Sequence, residues 1–141
     1  LRDALATTAA RLGLAARVEF AGHTDDTAPW YRRFAVFVSS SRTEQMPLAV
    51  LEAMASGLAI AATDVGDVRR MLPALSLPFV VKKQDPAALA DVLRRLCDDR
   101  ALRAALGDAN RRAAQQHYAA DRCLERFLTV YRQTAQRSSP R

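Results

Sequence analysis

Apolar positions in the first two-thirds of the chain fall into short runs separated by stretches with helical spacing. That alternation is expected of βα units feeding a parallel sheet. Residues 1–12 read as a helix stopped by Gly13, and Val18-Glu19-Phe20 as a short strand that ends at Gly22. A helix is predicted over 27–34, followed by a β-branched and aromatic strand at Ala35-Val36-Phe37-Val38. A serine-rich loop then leads to Pro47, suited to the first turn of a helix that runs to Ser56 and stops at Gly57. Residues 58–63 are apolar enough for a buried strand, and a short helix over 68–72 precedes a last strand at 78–81. From Asp85 the period is helical throughout. Asp85-Pro86 supplies a capping carboxylate and a first-turn proline, with Leu89, Val92, Leu93 and Leu96 at helical spacing. Further helices are predicted over 101–116 and 121–136, with a frayed tail over 137–141. The fold class is α/β: βα units over 1–84, C-terminal helices over 85–137 and a tail over 138–141.

At 141 residues the chain suits one domain. Half of it is hydrophobic and 26% is charged, too apolar for a disordered chain, although 28 alanines thin the core that this fraction suggests. No apolar run approaches the ~18 residues of a membrane span. The start, Leu1-Arg2-Asp3, has neither an initiator Met nor a basic-then-apolar leader, so the expectation is a cytoplasmic chain whose beginning has been cut away.

A net charge of +6 leaves nucleic acid, phosphate ligands and an anionic membrane surface open as partners. The last would place the chain peripherally at an inner membrane. Compositional drift in a GC-rich genome is the plainer account, since Lys82 and Lys83 are the only lysines and the arginines spread from Arg2 to Arg141 among acidic residues. Nucleic acid ranks last as a partner, because no RNP, zinc-finger or helix-turn-helix signature occurs. Cys97 and Cys123 lack CxxC spacing and read as free buried thiols. Asp25, Asp26 and Asp64 lack ligand spacing, so no metal is expected.

The stretch from Ser39 to Val68 carries the chemistry. Glu44 falls in a loop between a strand's carboxyl end and a helix N-terminus, where open α/β sheets bind ligands. The helix that follows would point free N–H groups and a partial positive charge into the same crevice, a phosphate site. Glu52 lies among Leu51, Ala53, Met54 and Ala55, surroundings in which a carboxylate needs a partner such as a ribose diol. Gly57 and Gly66 each follow a regular element, where a tight turn would let a ligand come close. His23, after the first predicted strand, is either a phosphate or acceptor contact or a residue that orders its loop.

Glu44 and Glu52 enclose seven residues, and the run around them resembles the EX7E signature of retaining GT-B glycosyltransferases of family 4. Ser41, Glu44, Pro47, Leu51, Glu52, Ala53, Met54, Ala55, Gly57, Ala62 and Thr63 fall in register with that pattern. Val18-Glu19-Phe20-Ala21-Gly22-His23 is similar to the family's V-x-F-x-G-H segment, and Asp85-Pro86-Ala87-Ala88-Leu89-Ala90 to its D-P-x-x-L-A helix start. The resemblance implies a Rossmann-like C-terminal domain that binds a nucleotide-sugar donor without a resident cofactor or metal. It implies that Glu44 contacts the donor sugar as the catalytic carboxylate, that Glu52 holds the ribose, and that amides around Leu48, Ala49 and Val50 hold the diphosphate. Gln45, Met46 and His23 would line the same site.

Family members also carry, ahead of this region, a glycine-arginine pair, a lysine and an acceptor-binding domain. None of these precedes Leu1, so the resemblance implies the C-terminal part of a longer enzyme, inactive alone, that acts on a glycan or lipid-linked acceptor. The chain departs from the pattern in having Gln45 for a glycine, Ala59 for a proline, Asp67 for a glycine and Arg70 for a carboxylate. Those changes tune donor choice or mark decay, and a non-catalytic nucleotide-sugar-binding module stays open as the alternative. In the family's strand order the strand at Val18 would stand apart from the later three, so three strands are expected to pair and Val18-Glu19-Phe20 to be isolated.

Overall fold

The structure is a computed structural model that describes residues 2–137. The ends of the predicted first helix and of the predicted tail, residues 1 and 138–141, lie outside the described residues. Helix α1 covers Arg2–Arg11, α2 Ala28–Arg33, α3 Leu48–Ala55 and α4 Val68–Met71. Strands β1 (Val36–Ser39), β2 (Ala59–Thr63) and β3 (Val80–Val81) form one parallel sheet in the order β1-β2-β3. Three longer helices follow: α5 over Pro86–Asp98, α6 over Arg100–His117 and α7 over Ala120–Arg137.

Every residue of β2 is buried, and its alternation sorts them to two faces. Ile60 and Ala62 face Val50 and Met54 of α3 and Ala113 and Ala114 of α6. Ala59 and Ala61 face Val92 and Leu96 of α5, with Phe79 and Val81 beside them. A strand covered by helices on both sides must be apolar throughout, hence the uninterrupted run in the sequence.

The α3-to-β2 turn is fixed by backbone. Gly57 has φ +74°; its N–H donates to Met54 O at 2.9 Å and the Leu58 N–H to Ala53 O at 3.1 Å. That pair of bonds closes the helix C-terminus and releases the chain straight into β2. The turn also packs on α6, where a Cβ placed on Gly107 would come 2.1 Å from Gly57 O. Nearby, the fully buried Asn110 accepts from Ser76 Oγ at 2.7 Å and donates to Leu58 O at 2.8 Å. One side chain thus joins α6 to the start of β2 and to the 3-10 turn Ala74–Phe79.

Several expectations need correction. Val18-Glu19-Phe20 is not a strand but an unladdered segment after a 3-10 turn at Ala15–Arg17, whereas the expected pairing of three strands with this segment apart is what the sheet has. The last strand begins at Val80, because the chain before it coils around Pro78, which has no N–H for a ladder. Pro47 caps α3 from outside, with ψ 113°, instead of occupying its first turn. Cys97 is exposed and Cys123 half-buried, so the free thiols are not core residues; in α5 the buried positions are Val92 and Leu96 instead.

Candidate functional site

Parallel pairing puts the carboxyl ends of β1 and β2 side by side, with Ser39 in register with Ala62. The loops leaving those ends, 40–47 and 64–67, lock together. Thr63 Oγ1 donates to Ser41 O at 2.6 Å, and the Asp67 N–H donates to Gln45 O at 2.7 Å. Gly66, at φ +54°, is pressed so closely on the first loop that a Cβ there would lie 2.2 Å from Gln45 O and 2.6 Å from Glu44 O. The close approach that this glycine permits is therefore to protein backbone, and that of Gly57 is to a side chain, the Arg111 guanidinium, 3.0 Å from where its Cβ would stand. Neither glycine makes room for a ligand, as their turn positions had suggested.

On this clamped loop Glu44 is half-buried and accepts from Ser41 Oγ at 2.8 Å, so one carboxylate oxygen has a fixed partner. Gln45 and Met46 follow with exposed side chains. Among the described residues, neither the Leu48 nor the Ala49 N–H has a protein acceptor, and both residues are exposed. These are the unsatisfied donors of a helix N-terminus, open at the carboxyl edge of the sheet. The third expected amide is different. The Val50 N–H is already given to Pro47 O at 3.1 Å, and the Val50 side chain is fully buried, so it belongs to the core.

Glu52 is placed otherwise than its sequence neighbours implied. Ala53 and Met54 are buried and Leu51 half-buried, while Glu52 and Ala55 are exposed, because α3 presents only one face to the sheet. Its Oε2 accepts from Thr27 Oγ1 at 3.2 Å. Tyr31 also reaches this corner, its hydroxyl donating to Ala49 O at 3.3 Å. Burial, aided by a hydrogen bond to Glu52 and by the Glu52 charge, pushes the Tyr31 phenol up from 10.0 to about 12. The segment before α2 and α2 itself therefore hold the first turns of α3 and its outward carboxylate.

His23 is not drawn into this group. It is exposed on the preceding loop, paired with Asp25 at 3.2 Å. Sequence reading gave no site role to Thr27 or Tyr31, and it named Thr63, Gly66 and Asp67 without the clamp they form. A tyrosine one turn before a strand and a threonine at a strand end are the signals it had, but only the folded chain shows what each hydroxyl meets.

Residues 1–99 match the model of the family described as Glycosyl transferases group 1. The chain belongs to that family. It is 33% identical over 129 residues to the lipopolysaccharide core biosynthesis mannosyltransferase LpcC of Rhizobium leguminosarum bv. viciae, a match covering 92% of this chain and 37% of the relative. Among solved structures, sucrose-phosphate synthase from Thermosynechococcus elongatus superposes with a TM-score of 0.88 at 28% identity, over 97% of this chain and 35% of that one. The C-terminal domain of a group 1 family protein from Francisella tularensis superposes at 0.73 and 24% identity, over 84% of this chain and 63% of that one. The architecture is thus the α/β, Rossmann-like C-terminal domain of a GT-B glycosyltransferase, with a small parallel sheet between helices. The chain spans 25% to 37% of the length of the first curated relatives it matches.

Proposed function

We propose that this chain is the donor-binding part of a glycosyltransferase that moves a sugar, with retention of configuration, from a nucleoside-diphosphate sugar to a glycan or lipid-linked acceptor. The observation that carries the reading is one arrangement. Two free amides, Leu48 and Ala49, open the helix that bears Glu52, and Glu44 stands on the loop just before it. In this reading the EX7E pair brackets the donor. The amides meet the diphosphate, Glu52 accepts from the ribose hydroxyls, and Glu44 contacts the sugar.

As the glycosidic bond breaks, negative charge gathers on the leaving diphosphate. Donors already aimed there stabilise it with little reorganisation, so this chain's own contribution needs no resident metal. Gln45 gives one reason to keep a second reading, a nucleotide-sugar-binding module without turnover. Its side chain occupies a place where the family pattern has none.

Calorimetry with UDP and GDP tests the donor site. Glu52→Ala is expected to weaken nucleoside-diphosphate binding by about 1.5–3 kcal/mol, the scale for hydrogen bonds to a charged group. In the intact protein, Glu44→Ala is expected to lower turnover more than it lowers binding of the free diphosphate, because its contact is with the reacting sugar. Unchanged affinity in the Glu52 variant removes the ribose role. Binding without any transfer favours the module.

A further inference from the structure

A cavity that neither Leu48 nor Ala49 lines lies elsewhere on the molecule. It has a volume of about 570 Å3 and is bounded by the end of α4, the last turns of α6 and the first turns of α7. Three guanidinium groups line it, Arg70, Arg112 and Arg126, together with His117, and no carboxylate does. Their donors are largely unspent. Arg112 makes no hydrogen bond or ion pair among the described residues, and Arg126 gives one long bond, 3.5 Å, to His117 O. Arg70 alone has an acidic partner, Asp67 at 3.2 Å, through one nitrogen of an exposed pair.

A second cavity, of about 380 Å3, shares His117, Tyr118 and Arg126 with the first. Its other walls are apolar: Met46, Phe127 and Val130, with Cys123. Phe127 and Val130 are 65% and 60% exposed, so this surface is open to a ligand. Met46 belongs to the loop that carries Glu44. The joined space is therefore cationic at one end and apolar at the other, and its apolar end reaches the donor loop.

We infer that these joined cavities bind a phosphate-bearing amphiphile, its phosphate against Arg70, Arg112 and Arg126 and its apolar part along Met46, Phe127 and Val130. Arginine suits the first task, since its planar fork presents paired donors to phosphate oxygens. The second is ordinary burial of an apolar chain. The chemistry is shared by a single lipid phosphate taken up as a ligand and by the headgroup of a lipid still in a bilayer. Occupation does not depend on the proposed donor site, although nearness to Met46 would bring such a ligand beside the transferred sugar.

The test uses the intact protein that contains this chain, with dioctanoyl phosphatidic acid as a dispersed ligand, dioctanoylglycerol and glycerol 3-phosphate as controls lacking one half, and vesicles of phosphatidylcholine with or without phosphatidic acid. Dispersed phosphatidic acid is expected to bind about tenfold more tightly than either control, and Arg112→Ala with Arg126→Ala to lose about tenfold, partly restored by lysine at both positions. UDP affinity of the double variant should stay unchanged, which separates this site from the donor site. Binding to acidic vesicles alone, still lost in the arginine variant, assigns the site to a bilayer headgroup. Equal binding of dioctanoylglycerol, vesicle binding indifferent to the arginines, or no binding in either arm overturns the inference.

Discussion

Gly66 concentrates in one residue the demands made on the crevice. Its φ of +54° is the left-handed region that disfavours a side chain, and its missing Cβ is where the Glu44 and Gln45 carbonyls lie. Gly66→Ala is expected to cost about 2–4 kcal/mol in urea unfolding, the backbone penalty and the overpacking together. It should also loosen the Glu44 loop. Tyr31 makes a different residue-scale prediction. Its phenol ionises near 10 in an unfolded chain and at about 12 in the fold, so the folded state keeps the proton longer. Stability from this group is fully present below pH 10 and is lost as pH rises toward about 12. Thermal melts across that window should show the decline, and Tyr31→Phe should flatten it.

At the scale of elements, α6 is held to the sheet by polar chemistry as well as by area. Asn110 ties it to Leu58 O and to Ser76, and among the described residues no buried side-chain polar atom lacks a partner. Asn110→Leu keeps the volume but leaves a buried carbonyl and hydroxyl unpaired, an expected loss of about 2–4 kcal/mol by denaturant titration. Asp108→Ala, on the exposed side of the same helix, serves as the comparison and should change stability by about 0.5 kcal/mol or less. The helix starts were readable beforehand. Asp85 accepts from the Ala88 N–H at 2.9 Å, as the Asp-Pro pair implied, because capping is a local bargain between one side chain and the next turn.

For the whole molecule, the exposed strand edge matters most. Among the described residues β1 pairs only with β2, on one side, and Val38 is 43% exposed. An open apolar edge is a template for another copy of the chain. Sedimentation at rising concentration is expected to show self-association, and Val38→Lys to suppress it without lowering the melting temperature. A melt that drops with the substitution would mean that Val38 packs inside the fold.

The sequence by itself determined the α/β class, the order of helices and strands, the isolation of the segment at Val18 and the position of the loop that carries Glu44. The isolation of the Val18 segment follows from the strand order that the family resemblance implies; the others depend on periodicity, on Gly and Pro, and on capping, which act within a few residues. Tertiary structure decided the rest. Glu52 looked buried because its neighbours in sequence are apolar, yet the helix turns it to solvent beside Thr27. Gly66 looked like a ligand turn, yet it packs on the backbone of Glu44 and Gln45, 22 and 21 residues earlier. Which atom a hydroxyl or a missing Cβ meets depends on elements far apart in the chain, and only their packing brings those atoms together.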